Sequence, residues 1–149
     1  MNKIISIFLL LLLIIIVFIF ISNKTRHHLT YLTIDNKKFT VDIAKTKTEQ
    51  AKGLAVYNTL PKDKGMLFPF DSPDYYAFWM KDMKFSIDII YINKNKIVDI
   101  FSNVPSPKTS NEALPVYRPK NLSDMVLEIN AGLSKKYNFK TGDLVMVNY

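Results

Sequence analysis

The chain has 149 residues, about one domain's worth, with 20 lysines and arginines against 13 acids, a net charge of +7 and no cysteine. Without thiols there is no disulfide framework and no thiol chemistry, and the only histidines, His27 and His28, abut an apolar amino-terminal run, which argues against a Ser-His-Asp triad or a histidine zinc site in the folded domain. The lysines are scattered over turns and Arg26 and Arg118 are the only arginines, so the charge reads as a soluble surface beside anionic lipid or wall polymer, not as a nucleic-acid interface.

Residues 4–21 are apolar except for Ser6. As a helix rising about 1.5 Å per residue they extend roughly 27 Å, close to the thickness of a bilayer's hydrocarbon layer. A cleaved signal peptide is the alternative, but the run is longer than the usual h-region and no small-x-small cleavage site follows Ile21. The sequence therefore predicts an N-terminal transmembrane anchor over 1–22, a linker over 23–29 and a folded domain over 30–149, with the lipid bilayer as partner through residues 4–21. Lys24 and Arg26 follow the span and Lys3 precedes it, so charge alone slightly favours a cytoplasmic body.

Past the linker, residues 29–35 and 39–44 alternate as strands do, with Asp35-Asn36-Lys37-Lys38 as the turn between them. Thr46-Lys47-Thr48-Glu49 has the spacing of a capping box, and Gly53 can stop the short helix that follows. Residues 54–64 read as a loop, 65–68 as a strand closed by Pro69, and 75–80 as another strand. Two long strands, 85–93 and 96–102, are joined through Lys94-Asn95. Residues 102–123 carry four prolines, and a connection this long is either a functional lid or a surface excursion pinned by proline. A strand over 124–130, a helical turn over 132–137, a tight turn at 140–143 and a strand over 144–147 complete the chain. About eight short strands with two helical turns predict an all-β fold with one or two short helices, a compact β-sandwich or partly open barrel behind the N-terminal helix.

The blocks Thr48-Glu49-x-x-x-Gly53-Leu54, Gly65-Met66-Leu67-Phe68, Phe78-Trp79-Met80-Lys81, Ile87-Asp88-Ile89-Ile90 and Val126-Leu127-Glu128 resemble, in order, those of domain-of-unknown-function family 192, and Lys140-Thr141-Gly142-Asp143 resembles its C-terminal end. The resemblance spans roughly residues 30–148. It implies a compact β-rich domain behind a signal or anchor segment, hence outside the cytoplasmic membrane, and no established activity. Two departures stand out. Lys81-Asp82-Met83-Lys84 replaces the family's Lys-Asn-Thr and proline turn, and Leu114-Pro115-Val116-Tyr117 occupies the place of a Cys-Pro-x-Tyr segment.

Asp88 is embedded in an apolar strand. On a strand Phe85, Ile87, Ile89 and Tyr91 point one way, and Ser86, Asp88, Ile90 and Ile92 the other. A shielded carboxylate must be paired, hydrogen-bonded or functional. It is either an acid/base or polar anchor of a ligand pocket, or a structural acceptor for loop N–H groups or for Lys81. Glu128, in Val126-Leu127-Glu128-Ile129, would join it in a glycosidase-like pair if the carboxyls lie about 5–9.5 Å apart; the plainer reading of Glu128 is a solvent-facing strand residue. Phe78, Trp79 and Tyr76, with Tyr117, form either an aromatic platform or core. Met66, Met80 and Met83 would suit copper(I), but fit better as core filler.

The function expected is a membrane-anchored, extracytoplasmic domain that binds a small molecule, glycan or peptide without turning it over. Its pocket would be lined by Phe68, Trp79, Met80, Lys81, Asp88, Tyr117 and Glu128, with no cofactor and no metal. The alternatives are a metal-independent hydrolase of envelope polymer using Asp88 and Glu128, and a structural accessory domain of a membrane complex.

Overall fold

The computed structural model describes residues 11–13, 30–109 and 113–148. The anchor and linker expected over 1–29 lie outside the described residues apart from helical 11–13, and among the described residues no helix is long and apolar enough to cross a membrane.

In chain order the elements are β1 (Tyr31–Ile34), β2 (Lys37–Ile43), α1 (Lys47–Lys52), a 3-10 turn (Gly53–Val56), β3 (Lys64–Asp74), β4 (Phe78–Trp79), β5 (Ile87–Asn93), β6 (Lys96–Val104), β7 (Val116–Tyr117), β8 (Ser123–Asn130), α2 (Leu133–Lys136) and β9 (Val145–Asn148). The fold is mostly β with few short helices. Seven strands form one sheet in the order β6-β5-β8-β3-β2-β1-β9, and β4 and β7 form a separate ribbon. The large sheet curls into a half-barrel. Its outer strands meet at one end, where Lys96 bridges Leu144 and the Val145 N–H donates to the Asn95 carbonyl at 2.8 Å.

Local chemistry accounts for the clearest elements. Thr46 caps α1 with both halves of a capping box: its hydroxyl accepts from the Glu49 N–H at 3.2 Å, and the Glu49 carboxylate accepts from the Thr46 N–H at 2.8 Å. Those bonds, the Thr46 backbone's foremost, hold the Glu49 carboxyl below its ordinary range. Lys94 and Asn95 both have positive φ, 48° and 60°, as a two-residue type I′ hairpin requires.

β3 pairs with β2 in parallel (Thr40 opposite Lys64), so α1 and the 3-10 turn form the crossover between them. Two elements depart from expectation. Pro69 does not end β3; the strand runs on to Asp74 through a register shift against β8, where a missing N–H is tolerated. The strand expected over 75–80 shrinks to the two residues of β4, and β7 pairs with it from within the proline-rich connection.

The sheet is apolar on both faces. Leu32, Phe39, Leu67, Ile90, Ile92, Leu127 and Ile129 share one face and pack with Leu133 and Phe139 inside the curl. Met66, Phe68, Ile87, Ile89, Tyr91 and Val126 share the other, covered by Leu54, Leu60, Met80 and Met83 from the connections. Each fully buried aliphatic side chain contributes about 1.5–3 kcal/mol. The second face, beneath its cover of loops, positions the site.

Candidate functional site

Asp88 and Glu128 sit on neighbouring strands, but alternation sends them to opposite faces. Glu128 is directly opposite Ile89 in the β5–β8 ladder, while Asp88 is opposite Ile129. The two carboxyls therefore cannot flank one scissile bond, and the paired-acid geometry fails.

Asp88 is fully buried, and its carboxylate is saturated. One oxygen accepts from the backbone N–H groups of Asn103 at 2.7 Å and Gly132 at 2.9 Å; the other accepts from Ser134 N–H at 2.7 Å. Gly132, at the start of α2, has no side chain with which to cap it. Asp88 supplies that cap from across the sheet, satisfying donors that would otherwise be orphaned. This is the structural reading, with loop backbone and not Lys81 as the partner.

Glu128 corrects the solvent-facing expectation, since it is only 4% exposed. Its Oε2 has no hydrogen-bond partner. Burial pushes its carboxyl up to about 8, opposed only by a hydrogen bond from the Leu54 backbone, so at neutral pH it is mostly a neutral acid. Beside it opens a cavity of about 180 Å³. The walls are Phe68, Phe70, Tyr76, Phe78 and Trp79, and the exposed Lys52 and Lys81 stand at the opening. Phe68 meets Phe78 edge to face at 5.0 Å, and Phe70 stacks on Tyr76 at 3.5 Å. Trp79 is 54% exposed and forms the rim, with the Lys81 ammonium 5.6 Å from its ring centre.

Gly53 lies against both the Phe68 ring and the Glu128 carboxyl. Its φ of +48° suits glycine. A Cβ there would lie 3.4 Å from the Phe68 ring and 3.6 Å from Glu128 Oε2. The bare position thus keeps a methyl out of contact with both groups.

Of the seven residues expected to line a pocket, Phe68, Trp79, Lys81 and Glu128 come together around this cavity. Asp88 lies on the other face. Met80 is buried in the core beneath. Tyr117 pairs with Phe78, packs edge-on against Phe101 at 5.5 Å and accepts the Tyr91 hydroxyl on its carbonyl at 2.9 Å, away from the cavity lining. The sequence reading missed Gln50, Lys52 and Phe70 and assigned Gly53 only to stopping a helix. Gln50 reaches from α1 to the Ala44 and Pro69 carbonyls at 3.2 and 3.3 Å, fixing the helix over the cavity. The parallel crossover that brings it there has no local sequence signature. Among the described residues no cluster of acids could hold a metal ion.

No curated protein matches the chain. Two solved structures are similar. A protein of unknown function from Novosphingobium aromaticivorans is 30% identical with a TM-score of 0.68, over 78% of this chain and 83% of that one. A putative transcription regulator from Sinorhizobium meliloti is 25% identical with a TM-score of 0.67, over 79% of this chain and 91% of that one. The DUF192 family model, described as an uncharacterized ACR, matches residues 30–147, and the chain belongs to that family.

Proposed function

We propose that the domain is a ligand-binding module without catalytic turnover, tethered by residues 4–21 to a membrane and facing away from the cytoplasm. One observation carries the binding reading: a buried carboxyl oxygen without a partner belongs to a side chain that lines an aromatic-walled cavity. A buried polar atom left unsatisfied costs on the order of 1–3 kcal/mol, and a ligand that donates to it recovers that energy. Aromatic walls with one converging polar group are the usual make-up of a small-molecule site. A hydrolase has less support, because Asp88 is consumed by three backbone donors and points away from Glu128.

Trp79 is the only tryptophan and stands at the rim, so its emission reports occupancy. The full chain in detergent, titrated with small molecules, glycans and peptides, should give a saturable Trp79 change and a matching rise in Tm from mass action. Absence of both across all three classes defeats the reading. For the orientation, protease added to intact cells should digest the folded domain; complete protection would place it in the cytoplasm.

A further inference from the structure

We propose that the cavity takes a small zwitterion of the amino-acid type, its N–H-bearing ammonium seated on Glu128 at the floor and its anionic group met by Lys52 and Lys81 at the mouth. The inference rests on the binding reading above and adds the chemical class of the ligand.

Three features converge on it. Glu128 Oε2 has no hydrogen-bond partner, and once its carboxyl ionises that oxygen needs a donor. β3 offers Met66 and Phe68; β5 offers Ile89 and Tyr91, whose hydroxyl already donates to the Tyr117 carbonyl. Tyr76, on the wall, donates its hydroxyl to the Ser72 carbonyl at 2.7 Å. Among the described residues the only basic groups on the cavity are the two lysines at its opening, and neither is among the causes that set the Glu128 proton affinity. The ionised acid therefore has no counter-charge among the described residues, and an incoming ammonium would provide one.

The walls suit that ammonium as well. Aromatic faces attract cations, and the Lys81 ammonium over the Trp79 ring shows an amine in that relation at the rim. A plain amine would meet repulsion from Lys52 and Lys81 on entry, whereas a ligand with an anionic end would not. Two exposed cations outside and one uncompensated acid inside form a dipolar arrangement, and a zwitterion is its complement. A cavity of about 180 Å³ sets the scale at a single amino acid or a headgroup-sized molecule, not a polymer segment.

Seating the ammonium requires Glu128 to release its proton to solvent, so binding and ionisation are linked. With its free value at about 8, the ionised fraction rises about 50-fold between pH 6 and pH 8, and the affinity should follow.

The test is calorimetry on the full chain in detergent with glycine, L-leucine, L-phenylalanine and phosphoethanolamine, beside 4-methylpentanoate (leucine without its amine) and 3-methylbutylamine (leucine without its carboxyl). At least one zwitterion should bind tenfold more tightly than its single-charge counterparts. Its Kd should fall about 50-fold from pH 6 to pH 8, with proton release visible as a dependence on buffer ionisation heat. Preference for phosphoethanolamine would identify a lipid headgroup as the source, and preference for an amino acid a free solute. Glu128→Gln should abolish the proton release and weaken binding at least tenfold; should that variant not fold, the analogue and pH series on the unaltered protein decide alone. Equal or tighter binding of 4-methylpentanoate, or affinity that falls with rising pH, overturns the proposal. Binding of neutral sugars alone overturns the ligand class and leaves the binding reading intact. If none of these probes and no other ligand class moves Trp79, both fall.

Discussion

Replacing Glu128 by glutamine should make the domain more stable above neutral pH, and by an amount the structure sets. The folded-state carboxyl titrates near 8, against 4.5 for an ordinary glutamate. Between those values the native state holds a proton that the unfolded chain has released, so stability falls as pH rises. The contribution is complete below pH 4.5 and is lost as pH climbs through 8. The gap of about 3.5 units, at 1.36 kcal/mol each, gives an upper bound of roughly 5 kcal/mol by pH 9, and about 3 kcal/mol of it is already lost at pH 7. Glutamine keeps the shape and an acceptor for the Leu54 N–H, and has no proton to lose. Urea unfolding of the two proteins at pH 5 and pH 9 is the assay. The curves should nearly coincide at pH 5 and separate by several kcal/mol at pH 9, glutamine being the stabler. Working below pH 10 leaves out Tyr91, whose phenol burial raises well above its usual range. Parallel stability profiles for the two proteins would refute the premise that Glu128 is buried and uncompensated.

Three further outcomes are expected. Asp88→Asn places an amide NH2 among three backbone donors and should cost about 3 kcal/mol in urea unfolding, while ligand-induced changes at Trp79 survive wherever the variant is folded. Gly53→Ala forces a Cβ into a φ of +48° beside Phe68 and Glu128, costing about 1–3 kcal/mol and weakening any ligand that shifts Trp79 emission. Lys94→Asn with Asn95→Gly supplies the residues a type I′ turn prefers at two positive-φ positions and should raise stability by about 0.5–1 kcal/mol in the same assay.

What was legible in the sequence was local. The Thr46 capping box, the Lys94-Asn95 turn and the alternation of Ile87, Ile89 and Tyr91 against Ile90 and Ile92 depend on neighbours a few residues apart, and all appear in the fold. The parallel pairing of β2 with β3 depends on a crossover whose ends meet only once the sheet has formed, and no spacing encodes it. The ribbon of β4 and β7 joins residues nearly 40 positions apart, Phe78 with Tyr117, across a connection read from sequence only as proline-rich. The aromatic wall was half visible for the same reason: Phe78 and Trp79 announce themselves, whereas Phe70 and Gln50 reach the cavity only through the path of β3 and α1.

The two acids show most clearly where local reading ends. Ile87-Asp88-Ile89 and Leu127-Glu128-Ile129 are nearly the same pattern, an acid between branched apolar residues on a central strand. Their fates separate because of partners 15 to 46 residues away from Asp88: Asn103 at the end of β6, and Gly132 and Ser134 at the start of α2. Each brings a backbone donor to Asp88. Glu128 instead faces the glycine that ends α1 and an aromatic shell, where there is almost nothing to donate. A saturated buried carboxylate stiffens the elements it ties together and has little left to offer a solute. An unsaturated one costs stability at every pH above its unfolded-state value, yet it is the group with free energy to gain from a ligand. The candidate site therefore lies on the face where the sheet left its acid unpaired, and the well-bonded Asp88, prominent in sequence, belongs to the frame that holds β5, β6 and α2 in place behind it.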